Sequence, residues 1–295
     1  MTVKILQFGT TGQLGVELLR QAPGHDVAVT ALGRAEADLT DPAAAAAAVA
    51  AHRPDLVVIA AAHTAVDLAE SERDLAFAIN AEAPGAIAEA AAKVGAAVVN
   101  VSTDYVFDGA GGAPYAEDAA TNPLGVYGAS KLAGERAVAA ANPRALSIRT
   151  SWVVSPHGRN FIRTMLRVAA AGNPLKVVDD QSGRPTSAAD LAGFILSQAP
   201  ALAAAPAGDP RFGVVHFANA GEVTWRGFAQ AIFAEALGDA APDVAATTTA
   251  EYVTPAKRPL RATMDLGRLE RDFGVTPRDW RDALRDIVAE LKSAP

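Results

Sequence analysis

Tyr127 and Lys131 stand four residues apart in Tyr127-Gly128-Ala129-Ser130-Lys131, and a helix would put them on one face. A free phenol, with a pKa of about 10, exchanges protons poorly at neutral pH, and a nearby ammonium favours the phenolate, so Lys131 is expected to lower the Tyr127 value. The pair suits general acid–base work on a bound oxygen. Such a pair also arises by chance in helices, so its context matters. Upstream, Ser102-Thr103-Asp104-Tyr105 follows an apolar run. A hydroxyl on Thr103 would sit at a strand's carboxyl end, the edge where open α/β sheets bind ligands, and could hold a carbonyl.

A second motif lies near the start. Gly9-Thr10-Thr11-Gly12-Gln13-Leu14-Gly15 follows Val3–Phe8 and precedes Val16-Glu17-Leu18-Leu19-Arg20. Glycines spaced three and three, between a strand and a helix, permit a tight turn, close approach of a pyrophosphate to backbone N–H groups, and anion binding at the positive helix end. A purely structural turn is the alternative. The next strand ends at Ala31-Leu32-Gly33-Arg34, without the acidic residue that would meet a ribose 2′-hydroxyl and mark an NAD preference. Arg34 is placed to meet a 2′-phosphate instead, which leans toward NADPH; a plain surface arginine is the rival reading. Asp38-Leu39 would flank an adenine, and Ala60-Ala61-Ala62-His63-Thr64 leaves room for a cofactor's backbone.

These motifs need a scaffold. Short β-branched runs at Val3–Phe8, Asp26–Ala31, Leu56–Ala60, Ala97–Ser102 and Ala145–Arg149 alternate with alanine-rich helical stretches near Gly12, after Asp41-Pro42, over Asp74–Val94 and from Val126. That alternation predicts an α/β fold, a Rossmann-type doubly wound parallel sheet. After Arg149 the regularity stops. The division expected is a dinucleotide-binding domain over 1–150 and a smaller C-terminal substrate-binding lobe over 151–295, with some later segments returning to the first. In the second part helices are expected at Asn160–Ala171, Ala188–Gln198, Trp225–Leu237 and Trp280–Lys292, short strands at Val177–Val178 and Val214–Phe217, and a loop over Ala199–Pro210.

Composition narrows the partners. At 295 residues the chain buries enough apolar surface to fold unaided, and with no cysteine it has no disulfides, thiolate metal sites or thiol nucleophile. A net charge of −7 provides no basic surplus for nucleic acid. Neither a signal peptide nor a membrane-spanning run is read, so a soluble cytoplasmic protein is expected.

Taken together, the glycine turn, the strand-end Ser-Thr and the tyrosine–lysine helix resemble the extended short-chain dehydrogenase/reductases. Further phrases are similar to the branch that reduces the 4-keto group of nucleotide-linked deoxysugars: Arg53-Pro54-Asp55, Ala69-Glu70-Ser71-Glu72, Asn122–Glu135, Arg149-Thr150-Ser151-Trp152-Val153, Asp180–Thr186 and Pro255–Pro259. The resemblance spans nearly the whole chain. It implies NAD(P)H-dependent reduction of dTDP-4-dehydro-L-rhamnose to dTDP-L-rhamnose, a precursor of cell-surface polysaccharide, with NADPH as cofactor and NADH as a second choice. Tyr127 would donate the proton, Lys131 assist it and Thr103 orient the carbonyl. Thr103, Asp104 and Trp152 would meet the sugar. Gly12, Gln13, Leu14, Asp38, Leu39, Ala62, His63 and Thr64 would line the cofactor. A satisfied strand-end histidine is the rival for His63, and a core aromatic for Trp152.

Some relatives are described as joining subunits through magnesium held by three carboxylates. Glu17 and Glu290 match two of them, but Ser187-Ala188-Ala189 stands where the third belongs, with Asp190 one step beyond. No required metal is expected, and a homodimer is left open. The alternatives are a reductase, epimerase or dehydratase on another nucleotide sugar, or a non-catalytic dinucleotide-binding subunit like that of methionine adenosyltransferase.

Overall fold

The computed structural model describes residues 2–111, 114–172 and 174–293. The first half runs β1 (Val3–Phe8), α1 (Gln13–Gln21), β2 (Val27–Leu32), α2 (Pro42–His52), β3 (Leu56–Ile59), α3 (Val66–Ala69), α4 (Arg73–Phe77), α5 (Ala83–Val94), β4 (Ala97–Thr103), α6 (Val126–Ala141) and β5 (Ala145–Thr150). The second half runs β6 (Val153–Val154), α7 (Phe161–Ala170), β7 (Leu175–Val178), β8 (Ser182–Gly183), β9 (Thr186–Ser187), α8 (Ala188–Ala204), β10 (Gly213–His216), β11 (Val223–Thr224), α9 (Trp225–Leu237), β12 (Val244–Thr247), α10 (Gly267–Phe273) and α11 (Trp280–Ser293).

Six strands pair in parallel in the order β10-β5-β4-β3-β1-β2. Side chains alternate across a strand, so each run of β-branched residues feeds two cores at once. On one face Ile5, Val58, Val99 and Ile148 pack with Leu18 of α1, Ile195 of α8 and Phe273 of α10. On the other, Leu6, Val57 and Val98 pack with Val49 of α2, Ile87 of α5 and Val138 of α6. The chain winds outward from β1 in both directions, which leaves a crevice beyond the carboxyl ends of β1 and β3.

Two sequence expectations are corrected. The helix expected over Asp74–Val94 is interrupted by a π-helical turn, Ala78–Glu82, between α4 and α5. The turn packs against α6 closely enough that a Cβ at Gly134 would lie 2.0 Å from the Asn80 carbonyl oxygen. The loop expected over Ala199–Pro210 begins later, because α8 continues to Ala204 through Pro200. Proline there removes one helical N–H, and the burial of Ala199 and Leu202 in the core outweighs that loss.

The remaining second-half residues form their own core, in which Phe228, Phe233, Trp280 and Ile287 are buried. Meanwhile α8, β10 and α10 pack onto the main sheet. Among the described residues no helix is long and apolar enough to cross a membrane.

Candidate active site

The glycine turn is built from below. Gln7, fully buried on β1, donates from Nε2 to the Gly9 and Gly15 carbonyl oxygens at 2.7 and 3.0 Å. A Cβ at Gly15 would lie 2.4 Å from the Gly9 oxygen, and Gly9 itself holds φ +101° with Ala61 N only 2.9 Å from where its Cβ would stand. Only glycine fits both places. At Gly12 the space is open, and α1 starts there with neither a side-chain cap nor an acidic residue in its first turn. Uncapped N–H groups of this kind suit an anion.

Beside this turn lies a cleft of about 780 Å³. Every residue expected along the cofactor lines it: Gly9, Gly12, Gln13, Leu14 and Gly15 at one side, Arg34, Asp38 and Leu39 beyond β2, Ala62, His63 and Thr64 after β3, and Tyr127 with Lys131 at the inner end. The Asp38 carboxylate is held below its ordinary pKa, first by the Thr40 backbone N–H. Asn80, on the π-helical turn, accepts from His63 N at 2.8 Å and donates to His63 O and to Ser130 Oγ on α6. It thereby fixes the β3 exit against the tyrosine–lysine helix. The sequence reading missed Asn80 and Gln7; polar residues inside apolar runs were the available signal. His63 pairs through Nε2 with Glu72 at 2.9 Å, while its buried Nδ1 has no partner among the described residues.

Tyr127 reaches Thr103 because of a glycine. A Cβ at Gly128 would lie 2.1 Å from the Tyr105 carbonyl oxygen, so α6 approaches the turn after β4 as only glycine allows. Tyr127 meets Tyr105 edge-on at 5.6 Å and lies within hydrogen-bonding reach of the Thr103 hydroxyl. The expected lowering of the phenol's pKa is overturned. Burial pushes Tyr127 up to about 12, with Thr103 opposing. Desolvation of the phenolate dominates, and Lys131 does not offset it. The Lys131 ammonium is itself brought down to about 8 by burial, against the pull of Glu135. Glu135 is closed into a buried network by Ser102 Oγ and the Arg149 guanidinium. The side chain of Lys131 lines the cleft and its ammonium has no hydrogen-bond partner among the described residues.

Asp104 is buried beside Thr103, which donates to it at 3.0 Å, and burial raises its carboxyl pKa to about 7. Trp152 holds the left-handed φ of +46°, an outlier of the kind that gathers at functional sites. Its ring stacks on Trp225 with centroids 3.5 Å apart and packs over Gly183. Thr103, Asp104 and Trp152 are not among the residues lining the dinucleotide-sized cleft. Glu17 is buried and paired with Arg20, which also meets Glu290, while Asp190 is taken up by Arg278 and Asn219. Among the described residues no group of three metal-ligating side chains converges.

Residues 3–293 match the model of the RmlD substrate binding domain. The chain is 42% identical over 291 residues to the dTDP-4-dehydrorhamnose reductase of Sinorhizobium fredii, covering 98% of each chain. It is also 42% identical over 291 residues to a probable dTDP-4,6-dihydroxy-2-methyloxan-3-one 4-ketoreductase of Streptomyces antibioticus, covering 97% of this chain and 95% of that one. The crystal structure of the Bacillus anthracis dTDP-4-dehydrorhamnose reductase in complex with NADP superposes with a TM-score of 0.91 at 32% identity, covering 98% and 100%. On a match of this length, the chain belongs to the RmlD substrate binding domain family.

Proposed function

We propose that the protein is a cytoplasmic NAD(P)H-dependent reductase that converts dTDP-4-dehydro-L-rhamnose to dTDP-L-rhamnose. In this reading residues 1–150 hold the dinucleotide and residues 151–295 supply most of the walls around the nucleotide sugar. The observation that carries it is the presence of Tyr127 and Lys131, with Thr103 beside Tyr127 just behind the lining, at the inner end of a cleft that starts at an uncapped helix N-terminus. The open space at Gly12, the unpartnered Lys131 ammonium and the cleft volume fit a dinucleotide. The bound nicotinamide would supply hydride to the C4 carbonyl carbon.

The chain's own groups handle the oxygen. With a pKa of about 12, Tyr127 is a phenol throughout the physiological range, the state a proton donor needs. Thr103 orients the carbonyl toward it, with Asp104 and Trp152 against the sugar. Once the phenol has given up its proton, Lys131, whose proton is held at about 8, is the nearby acid able to restore it downhill. The helical spacing thus orders the two groups for proton return.

The test is an absorbance assay of purified protein with dTDP-4-dehydro-L-rhamnose and each reduced nicotinamide, with the product identified by NMR. Stoichiometric nicotinamide oxidation with formation of dTDP-L-rhamnose is expected. An epimerase or dehydratase would consume none, and a binding subunit would turn over no sugar. Because the Streptomyces antibioticus relative is named for a different dTDP-linked sugar, turnover confined to another 4-keto substrate would move the assignment to that sugar.

A further inference from the structure

Tyr127, Lys131 and Glu135 follow one another at four-residue steps along α6, so each lies beside the next on the helix surface. Glu135 is buried behind the cleft and held from two strands at once. Arg149 of β5 grips it with both prongs of its guanidinium, Nε to Oε1 at 2.9 Å and Nη2 to Oε2 at 2.8 Å, and Ser102 of β4 donates its hydroxyl to Oε1. Ser102 and Arg149 are register partners, and the next pair along is Thr103 with Thr150. The carboxylate therefore pins α6 to the strand end that carries Thr103. Arg149 is itself fixed, donating to the Glu117 carbonyl oxygen and lying over the Phe107 ring.

Lys131 stands one helical turn from this carboxylate, buried and without a hydrogen-bond partner among the described residues. Burial alone drives an ammonium to give up its proton. Among the described residues the other carboxylates around α6 are engaged elsewhere. Asp104 acts on Tyr127, Glu72 pairs with His63, Glu70 accepts from the Val126 N–H, and Asp67 is held by Arg258. On α4 and α5, Arg73 lies over the Phe77 ring and Glu89 pairs with Lys93 at the surface. His216 of β10, near Arg149, is neutral, because burial brings it down to about 3. Glu135 is the charge that bears on Lys131, and it favours the protonated form.

We infer that Glu135 is a positioning residue: its carboxylate, locked by Arg149 and Ser102, keeps Lys131 charged while holding α6 against the Thr103 strand end. Its use in catalysis rests on the reductase reading. The Arg149 guanidinium offsets part of the carboxylate's field, so the two partners act on Lys131 in opposite senses.

The test follows the Lys131 side chain by NMR in full-length protein labelled with 13C-lysine, free of cofactor and sugar, with the resonance assigned by its loss in Lys131→Met. The wild-type midpoint is expected at about 8. Glu135→Gln removes the counter-charge and should lower the midpoint by about one pH unit, a tenfold loss of proton affinity. Arg149→Gln leaves the carboxylate unopposed and should raise it by about one unit. A purely structural tie would lower thermal stability in both variants and shift neither midpoint. Removing one partner of a buried pair is strongly destabilising, so a double variant, Glu135→Gln with Arg149→Gln, removes both charges together; its midpoint should still fall below the wild type, by about half a unit. Midpoints unmoved in the folded variants, the double one included, overturn the role of Glu135. In the sugar assay, the alkaline limb of kcat/KM should track the same midpoints. Midpoints that move in opposite directions without any nicotinamide oxidation uphold the role of Glu135 and overturn the reductase reading, and normal turnover with unmoved midpoints does the reverse.

Discussion

Tyr127 and Asp104 are both displaced upward in pKa by burial, and the two displacements have different consequences. For Tyr127, the shift secures the proton that the proposed reduction needs. Tyr127→Phe is expected to lower kcat by about a hundredfold or more while cofactor affinity, read by fluorescence, stays within about twofold. Near-normal turnover in that variant would remove the phenol from the mechanism. For Asp104, a folded pKa of about 7 against an ordinary 3.8 means the folded state holds the proton more tightly than the unfolded state. Stability from this group is complete below pH 4 and is lost as pH rises through 7. Wild-type unfolding free energy should therefore fall across that window, on the order of 4 kcal/mol, relative to Asp104→Asn. Parallel denaturant profiles for the two proteins would refute it. At this scale the sequence exposed the groups proposed to react through the four-residue spacing and the strand-end hydroxyl. It did not expose their ionisation, since the sign of the Tyr127 shift depends on how dry the pocket is.

The element that delivers this chemistry is α6, and its approach is set by two glycines. Gly128 lies against the Tyr105 carbonyl and Gly134 against the Asn80 carbonyl on the π-helical turn. Gly128→Ala forces a methyl into backbone and should cost on the order of 3 kcal/mol in chemical denaturation, with activity lost alongside it. Gly24→Ala, where nothing lies within 4 Å, is the control and should leave stability almost unchanged. Equal effects at the two positions would mean that close packing of α6 is not what the glycine supplies. Strands and the glycine turn were legible because their patterns are local. The π-helical turn was not read, although Pro84, at the start of α5, has no N–H for the Asn80 carbonyl four residues back and was the local signal for a break there.

Two ties join the halves of the molecule around the cleft. Gln13, in the first turn of α1, donates to Val153 O and accepts from Ser155 Oγ and Asn160 Nδ2. Asp67, on α3, is gripped by Arg258 at 2.8 Å and by the Ala256 N–H, which straps residues 254–258 down near Tyr105. Because the Asp67–Arg258 pair is partly solvated, Arg258→Ala should lower stability by only about 1 kcal/mol. Its larger expected effect is a rise in KM for the nucleotide sugar with little change in kcat, measured by steady-state kinetics. A loss confined to stability would show that the strap is only structural. Gln13 and Arg258 fall in phrases that the sequence singled out, but nothing in the chain's order says that residues 67 and 258 meet.

The amino-acid sequence alone determined the parallel α/β architecture, the glycine-turn cleft and the tyrosine–lysine pair, because each rests on spacing within a single element or between consecutive ones. Tertiary structure decided the rest: the dry setting that raises Tyr127, the return of β10 and α8 to the first sheet, and the carboxylate of Glu135 locked between Ser102 and Arg149. These depend on which distant atoms exclude water and which polar groups meet across elements. Those quantities come into existence only when the chain is packed.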